Sequence, residues 1–178
     1  MIRLLTALAL TLTLTLSAHA EGVRVLLETT KGDITLELAE DQAPETVANF
    51  LRYVDEGFYA GTVFHRVIPG FMIQGGDPTG SGSGNGPRIL KAEFNNRRHE
   101  RGVLSMARTN DPNSASCQFF VMHADSPHLD NQYSAFGKLV SGIEVVDAIA
   151  TTPRGRGDRP NTPQTINRAI VLKRPSGE

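Results

Sequence analysis

The chain has one cysteine, Cys117, and a formal net charge of −1 over 178 residues. A single cysteine cannot form an intrachain disulfide, so the apolar core must hold the fold even in an oxidising compartment. A nearly neutral chain also lacks the positive charge that attracts nucleic acid or an anionic membrane surface. We therefore expect neither nucleic acid nor a membrane among its partners.

Long apolar runs are missing after residue 20, and the first twenty residues differ from the rest. Arg3 is the one charged residue among them, an apolar run over 4–16 follows it, and an Ala-x-Ala sequence ends at Ala20. This order is typical of a secretory signal peptide, and the run is shorter than the ~20 residues of a membrane-spanning helix. We expect cleavage after Ala20, a single domain over 21–178 and a periplasmic location.

The spacing of apolar residues predicts a β-hairpin and then a helix at the start of this domain. Residues 23–29 favour a strand, 31–33 are turn-like, and aliphatic residues alternate with polar ones over 34–38. Pro44 then opens a stretch with apolar residues at i, i+3, i+4 and i+7, which Gly57 is suited to end. The helix should lay one apolar stripe over a sheet or over the mouth of a barrel.

Short apolar or β-branched runs, separated by turn residues, fill the remainder of the chain. The predicted strands are 62–67, 71–74, 102–107, 118–122, 135–139 and 165–172. A second short helix is predicted over 143–150. Many short strands favour either a closed antiparallel barrel or a sandwich, and periodicity does not choose between them.

Several motifs of common enzyme classes do not occur. The glycine-rich stretch 80–86 lacks the spacing of a nucleotide-binding loop, so we interpret it as a flexible surface loop. No serine lies in a G-x-S-x-G elbow, and Arg156-Gly157-Asp158 is interpreted as a solvated turn rather than an adhesion motif. Zinc-ligand spacing is absent around four histidines, His65, His99, His123 and His128.

One stretch, 64–77, carries residues that could perform chemistry. It places Arg66 near Phe71 and Met72 in sequence, with the amide of Gln74 close by. Arginine keeps its charge beside apolar side chains because its pKa is too high for burial to neutralise it. The residues alone leave two interpretations open, a structural salt bridge or a cation presented beside an apolar pocket.

The stretch 64–77 resembles the signature of the cyclophilin family. Further similar segments follow in the same order and extend the resemblance over essentially the whole of 21–178; they are 102–107, 118–121, 129–130 and 136–138. The resemblance implies a mainly β fold, a closed eight-stranded antiparallel β-barrel capped by two α-helices. It also implies a peptidyl-prolyl cis–trans isomerase that needs no metal or cofactor. We expect a monomer acting on proline-containing segments of unfolded or partly folded proteins.

The resemblance also implies roles for individual residues. Arg66 would be catalytic, as a fixed cation that favours the twisted peptide bond. The residues expected to bind substrate are Phe71, Met72, Gln74, Ala107, Arg108, Gln118, Phe120, Leu129 and Tyr133. Many eukaryotic members carry Trp where this chain has His128 and His where it has Tyr133. Cyclosporin, which uses the indole N–H, should therefore bind only weakly.

Two other functions are compatible with parts of this pattern. The first is a peptide-binding chaperone or scaffold on the same fold, for which catalysis would be incidental. Members that lose catalysis tend to lose the arginine, which is present here as Arg66. The second is a secreted hydrolase, but the sequence shows no nucleophile-and-base arrangement. We expect an isomerase that assists the folding of exported proteins.

Overall fold

The computed structural model describes residues 22–173, which contain eight strands and two α-helices. The helices are α1, Pro44–Asp55, and α2, Ile143–Ala150. The strands are β1 Arg24–Thr29, β2 Gly32–Leu38, β3 Arg66–Ile68, β4 Met72–Gly75, β5 Val103–Met106, β6 Phe119–Met122, β7 Ala135–Ser141 and β8 Ile166–Lys173. The predicted signal peptide, 1–20, lies outside the described residues. Within 22–173, neither helix has the length and apolar character needed to cross a membrane.

The strands form one sheet in the order β3-β4-β6-β5-β7-β2-β1-β8, and each neighbouring pair is antiparallel. This confirms the mainly β fold with eight antiparallel strands and two helices. The sheet curls into a half-barrel, so the expected full closure was overstated. Between the terminal strands β3 and β8 there is an isolated bridge, Val63 to Thr165, rather than a continuous ladder.

The incomplete closure has a local cause. Residues 62–67 were predicted to form a strand, but only Arg66 and Val67 of that range belong to β3. Val63 pairs singly with Asp77 on one side and with Thr165 on the other. The prediction was therefore wrong for 62–65, because this segment is shared between the two ends of the sheet and joins neither ladder.

The predicted hairpin is confirmed as β1 and β2. Burial alternates along both strands, and Leu27 pairs with Ile34 on the buried face. Gly32 has φ 125°, a conformation that favours glycine, and its carbonyl accepts a hydrogen bond of 2.6 Å from the Thr29 hydroxyl. The hairpin therefore lays its aliphatic face on the core.

Helix α1 is also confirmed, and it covers the core side of the sheet. Pro44 lies in its first turn, and the carboxylate of Glu93 accepts hydrogen bonds from the backbone N–H groups of Glu45 and Thr46. An anion at this position satisfies N–H groups that have no partner within the helix. Phe50 lies at the centre of the core, 5.2–5.5 Å from three aromatic rings, those of Tyr59, Phe119 and Phe136.

A second, smaller apolar cluster lies on the opposite face of the sheet. Successive side chains of a strand point to opposite faces, so Phe119 faces the main core and Phe120 faces the smaller cluster. Met72 and Met122 pair across β4 and β6 and belong to the same cluster as Phe120. This face of β4 and β6 carries the candidate site.

Candidate active site

Arg66 begins β3 and lies opposite Gln74 of β4. Alternation along β3 turns Val67 into the main core, where it is fully buried, and leaves Arg66 on the outer face. The Arg66 side chain is 42% exposed, so its charge remains accessible to a ligand. The sheet thus places a cation beside the smaller apolar cluster.

The outer face of the sheet contains a cavity of about 110 Å³. It is lined by Arg66, Phe71, Met72, Gln74, Ala107, Arg108, Phe120, Leu129 and Tyr133. These are nine of the ten site residues predicted from the sequence, drawn from strands and loops far apart in the chain. The tenth, Gln118, lines a neighbouring cavity of about 350 Å³ that shares Gln74, Ala107 and Arg108 with the first.

One wall of the smaller cavity is apolar and well packed, while Arg66, Gln74 and Arg108 line the rest of it together with aromatic residues. Met72, Phe120 and Leu129 are each less than a tenth exposed. The rings of Phe120 and Tyr133 meet edge to face, with centroids 5.8 Å apart. At the rim, the His128 ring stacks on Phe71 at 5.8 Å.

Both sequence interpretations of Arg66 have a counterpart in the structure. Nε of Arg66 lies 3.9 Å from Oδ2 of Asp158, and both side chains are more than a third exposed. A solvent-exposed pair at this distance contributes only about 0–1 kcal/mol to stability. The ion pair therefore does not explain the position of Arg66, and the cavity is the neighbour that bears on function. The Arg66 guanidinium forms part of the lining of that cavity.

A chain of amides connects Gln74 to the glycine-rich loop. Gln74 Nε2 donates to Oε1 of Gln118 at 3.0 Å. Gln118 Nε2 in turn donates to the carbonyl oxygens of Gly82 and Gly84, at 3.2 and 2.8 Å. Gln118 is thus a link between the two cavities and fixes the orientation of the Gln74 amide.

The glycine-rich loop is arranged around the buried carboxylate of Asp77. The carboxylate accepts backbone hydrogen bonds from Thr79, Gly82 and Gly84, at 2.7, 2.6 and 3.1 Å. Burial by itself would raise the pKa of Asp77, but these hydrogen bonds lower it to about 2. A side chain at Gly84 would collide with this carboxylate. Sequence analysis predicted a surface loop here and missed Asp77 as its anchor.

Arg108 stands where the two cavities meet. Its guanidinium lies 4.4 Å from the centroid of the Tyr133 ring, within the range of a cation–π contact. Nε donates to the carbonyl oxygen of Gln132 at 3.1 Å, and Nη1 donates to that of Thr109 at 2.8 Å. These contacts hold the second cation of the site in a defined orientation.

Sequence reasoning also missed a line of three polar residues behind the cavity, of which His99 and Ser105 are buried and Asp130 is partly exposed. Asp130 Oδ1 lies 3.1 Å from Nδ1 of His99, and Nε2 of His99 lies 3.1 Å from the Ser105 hydroxyl. No spacing motif could reveal it, because Asp130 is 31 residues from His99 in the chain. Ser105 is fully buried, so this nucleophile-and-base combination has no access to a substrate.

Two further side chains bear on chemistry. Cys117 is free and fully buried, and burial raises the pKa of its thiol, which keeps it protonated and unreactive at neutral pH. Within residues 22–173, no group of three or more His, Cys, Asp or Glu side chains is arranged to hold a metal ion.

Comparisons with known proteins agree with this geometry. The family model described as cyclophilin type peptidyl-prolyl cis-trans isomerase/CLD matches residues 24–171. A peptidyl-prolyl cis-trans isomerase of Arabidopsis thaliana, CYP18-1, is 43% identical over 157 residues, which cover 85% of this chain and 97% of that protein. Peptidyl-prolyl cis-trans isomerase A of the bacterium Dickeya dadantii is 39% identical, with 95% of each chain covered.

A solved structure shows the same likeness. The cyclophilin type peptidyl-prolyl cis-trans isomerase of Cryptosporidium parvum, crystallised in the presence of the dipeptide Ala-Pro, superposes with a TM-score of 0.81 at 35% identity. The match covers 84% of this chain and 99% of that structure. The chain therefore belongs to the cyclophilin-type peptidyl-prolyl cis–trans isomerase family.

Proposed function

We propose that this isomerase binds a proline ring in the cavity of about 110 Å³ and that Arg66 catalyses rotation of the preceding peptide bond. The observation that carries the proposal is the accessible guanidinium of Arg66 at the edge of a cavity of that size, beside an apolar wall of Met72, Phe120 and Leu129. The Ala-Pro dipeptide used with the Cryptosporidium parvum relative supports a prolyl ligand of this kind.

The physical task is to lower a rotational barrier without breaking a bond. Planar X-Pro amides exchange over a barrier of about 20 kcal/mol, because resonance is lost in the twisted state. The twisted amide nitrogen regains a lone pair that can accept a hydrogen bond. A guanidinium placed to donate to that nitrogen, or to the prolyl carbonyl, stabilises the twisted state over both planar states. A reduction of roughly 7 kcal/mol would accelerate exchange by about five decades.

The remaining site residues divide between the two ends of the substrate. Phe120, Met72 and Leu129 give the apolar surface that a proline ring requires. Gln74, oriented by Gln118, can hydrogen-bond the substrate backbone beside Arg66. The larger cavity, with Arg108 at its edge, would take the residues that precede proline. Tyr133 offers a hydroxyl to a substrate carbonyl.

The natural substrates in this proposal are proline-containing segments of unfolded or partly folded exported proteins, bound by a monomer in the periplasm. The signal-peptide pattern of residues 1–20 supports the location. Fractionation of cells expressing the full chain, with mass spectrometry of its N-terminus, tests it. A protein that stays in the cytoplasm with residues 1–20 attached would contradict it.

Cyclosporin would bind weakly, since the His128 imidazole replaces an indole at the rim.

The decisive experiment follows cis–trans exchange of a short X-Pro peptide with the mature protein and with Arg66→Ala. We expect the wild type to accelerate exchange and Arg66→Ala to lose about 10²–10³-fold in kcat/KM, the usual cost of removing a charge-stabilising donor. Arg52→Ala is the matched control, because Arg52 pairs with Glu56 on the exposed side of α1. An inactive wild type, or a fully active Arg66→Ala, would contradict the proposal.

A further inference from the structure

We propose that His99 is a positioning residue for the proline cavity, and that Asp130 and Ser105 hold its ring so that Phe120 and Tyr133 keep their places in the cavity wall. The inference rests on the proposed function of that cavity. His99, Asp130 and Ser105 do not line the cavity themselves.

The His99 ring is fixed at both nitrogens. Its side chain has no exposed surface, with Nδ1 3.1 Å from Asp130 Oδ1 and Nε2 3.1 Å from the Ser105 hydroxyl. An ionised carboxylate can only accept, so Nδ1 carries the proton and Nε2 accepts from the Ser105 hydroxyl. The backbone N–H of His99 also donates to the same Asp130 oxygen, at 2.7 Å. Rotation of the ring would break these bonds inside a buried site.

The fixed ring supports two walls of the cavity. It stacks on Phe120 with centroids 6.2 Å apart and an interplanar angle of 23°. It meets Tyr133 edge to face at 6.4 Å and 77°. Phe120 and Tyr133 also contact each other, so the three rings form one cluster with His99 at the back. An aromatic ring that loses such a neighbour can turn into the space left behind.

The three polar residues also join separate parts of the wall. Ser105 on β5 lies directly opposite Phe120 on β6. Asp130 immediately follows Leu129, which lines the cavity from the loop between β6 and β7. His99 therefore connects β5, the strand paired with the one that carries Phe120, with the loop that carries Leu129. A substitution at His99 is therefore expected to shift the cavity wall at two places, at Phe120 and at Leu129.

The first test compares His99→Ala with Val146→Ala, a core-truncating control on α2 whose fully buried side chain belongs to the main core. We expect His99→Ala to lower kcat/KM at least 10-fold and to weaken binding of an X-Pro peptide. Val146→Ala should change kcat/KM less than 2-fold although it also lowers the free energy of unfolding. Equal effects of the two variants on kcat/KM would reduce His99 to a structural residue and overturn the proposal.

The second test asks whether His99 acts through Phe120. In a Phe120→Leu background, which lacks the ring that His99 stacks on, His99→Ala should lower kcat/KM by less than about 3-fold. If the effect of His99→Ala were as large there as in the wild type, the two residues would act independently and the inference would fail.

The third test remains informative if His99→Ala does not fold. Asp130→Asn keeps an oxygen that can accept from His99, so it should retain kcat/KM within about 3-fold, whereas Asp130→Ala should lower kcat/KM at least 10-fold. Equal activity of the two Asp130 variants would overturn the proposal.

Wild type and Arg66→Ala, assayed alongside, distinguish a failure of the proposed function from a failure of the inference about His99. An inactive wild type rejects the proposed function, and an Arg66-dependent enzyme insensitive to His99 and Asp130 rejects this inference alone.

Discussion

Asp158 places its carboxylate 3.9 Å from Nε of Arg66, and the same carboxylate lies 3.3 Å from Nε of Arg154. Asp158 has a left-handed backbone, with φ 59°, a conformation that aspartate tolerates better than most residues. Nε is the inner nitrogen of the guanidinium, so a carboxylate there does not occupy the two terminal Nη groups. Asp158 can therefore orient Arg66 and still leave its donors to a substrate.

The first prediction concerns this pair. Asp158→Asn should lower kcat/KM by about 2-fold, because an exposed pair contributes less than about 1 kcal/mol. Salt screens exposed charges, so the difference from wild type should disappear near ~1 M salt. The measurement is kcat/KM for an X-Pro peptide at low and high salt. A loss above 10-fold that salt does not change would mean that Asp158 does more than orient an exposed cation.

Much of the fold could be predicted from periodicity, because the elements concerned bury one face against a single core. The hairpin β1–β2 and the helices α1 and α2 each carry a clear apolar stripe, and all appear where predicted. The segment 62–65 carries a similar β-like pattern yet forms only isolated pairings. The conformation of this segment depends on pairing with residues at both ends of the sheet, and the local sequence pattern holds no information about those partners.

In the candidate site, too, some residues could be predicted from the sequence and others could not. The resemblance to the family motif predicted the nine residues that line the cavity, because those residues lie on strands or in ordered loops of the motif. The residues that hold this lining in place from outside the cavity could not be predicted. Asp77 acts through backbone N–H groups that carry no sequence signal, and His99 meets Asp130 only after β5 and β6 have paired.

The second prediction concerns Gln118, which both accepts from Gln74 and donates to two carbonyl oxygens. Gln118→Glu keeps the acceptor but puts a carboxylate against the carbonyls of Gly82 and Gly84 in a buried position. We expect Gln118→Glu to lower the free energy of unfolding by about 1–3 kcal/mol more than Gln118→Ala, because a buried acceptor facing acceptors is unsatisfied. Urea unfolding measures the difference.

Activity gives a second readout for Gln118. Gln118→Ala removes the acceptor of the Gln74 amide, so kcat/KM should fall, whereas Gln118→Glu keeps an acceptor for that amide and should lower kcat/KM less. An alanine variant with wild-type activity would show that Gln74 needs no orientation. A glutamate variant more stable than the alanine variant would show that the loop carbonyls turn away from Gln118.

The third prediction follows from two buried histidines. Burial lowers the pKa of His65 and of His99, while both regain an ordinary pKa near ~6.5 in the unfolded chain. Below about pH 6.5 the unfolded state therefore binds protons that the folded state does not. Stability is complete above this pH and falls as the pH drops, by at most about 1.4 kcal/mol per pH unit for each histidine.

Urea unfolding between pH 8 and pH 5 measures this slope. A His99→Phe variant should show a shallower slope than wild type, since one of the two proton-binding groups is gone. Val146→Ala should lower stability at every pH without changing the slope. A wild-type free energy of unfolding that stays constant from pH 8 to pH 5 would mean that both histidines protonate in the folded protein.

The fourth prediction concerns Asp77, whose pKa of about 2 lies below its ordinary value of 3.8. A lowered carboxyl pKa stabilises the fold above the unfolded pKa, and this stabilisation is lost as the pH falls from about 4 towards 2. The shift corresponds to about 2 kcal/mol at neutral pH. Asp77→Asn turns an N–H₂ group towards backbone donors, so it should lose at least that much at pH 7. Its unfolding free energy should then vary less than that of wild type between pH 5 and pH 3, and a parallel decline would place the acid-sensitive group elsewhere.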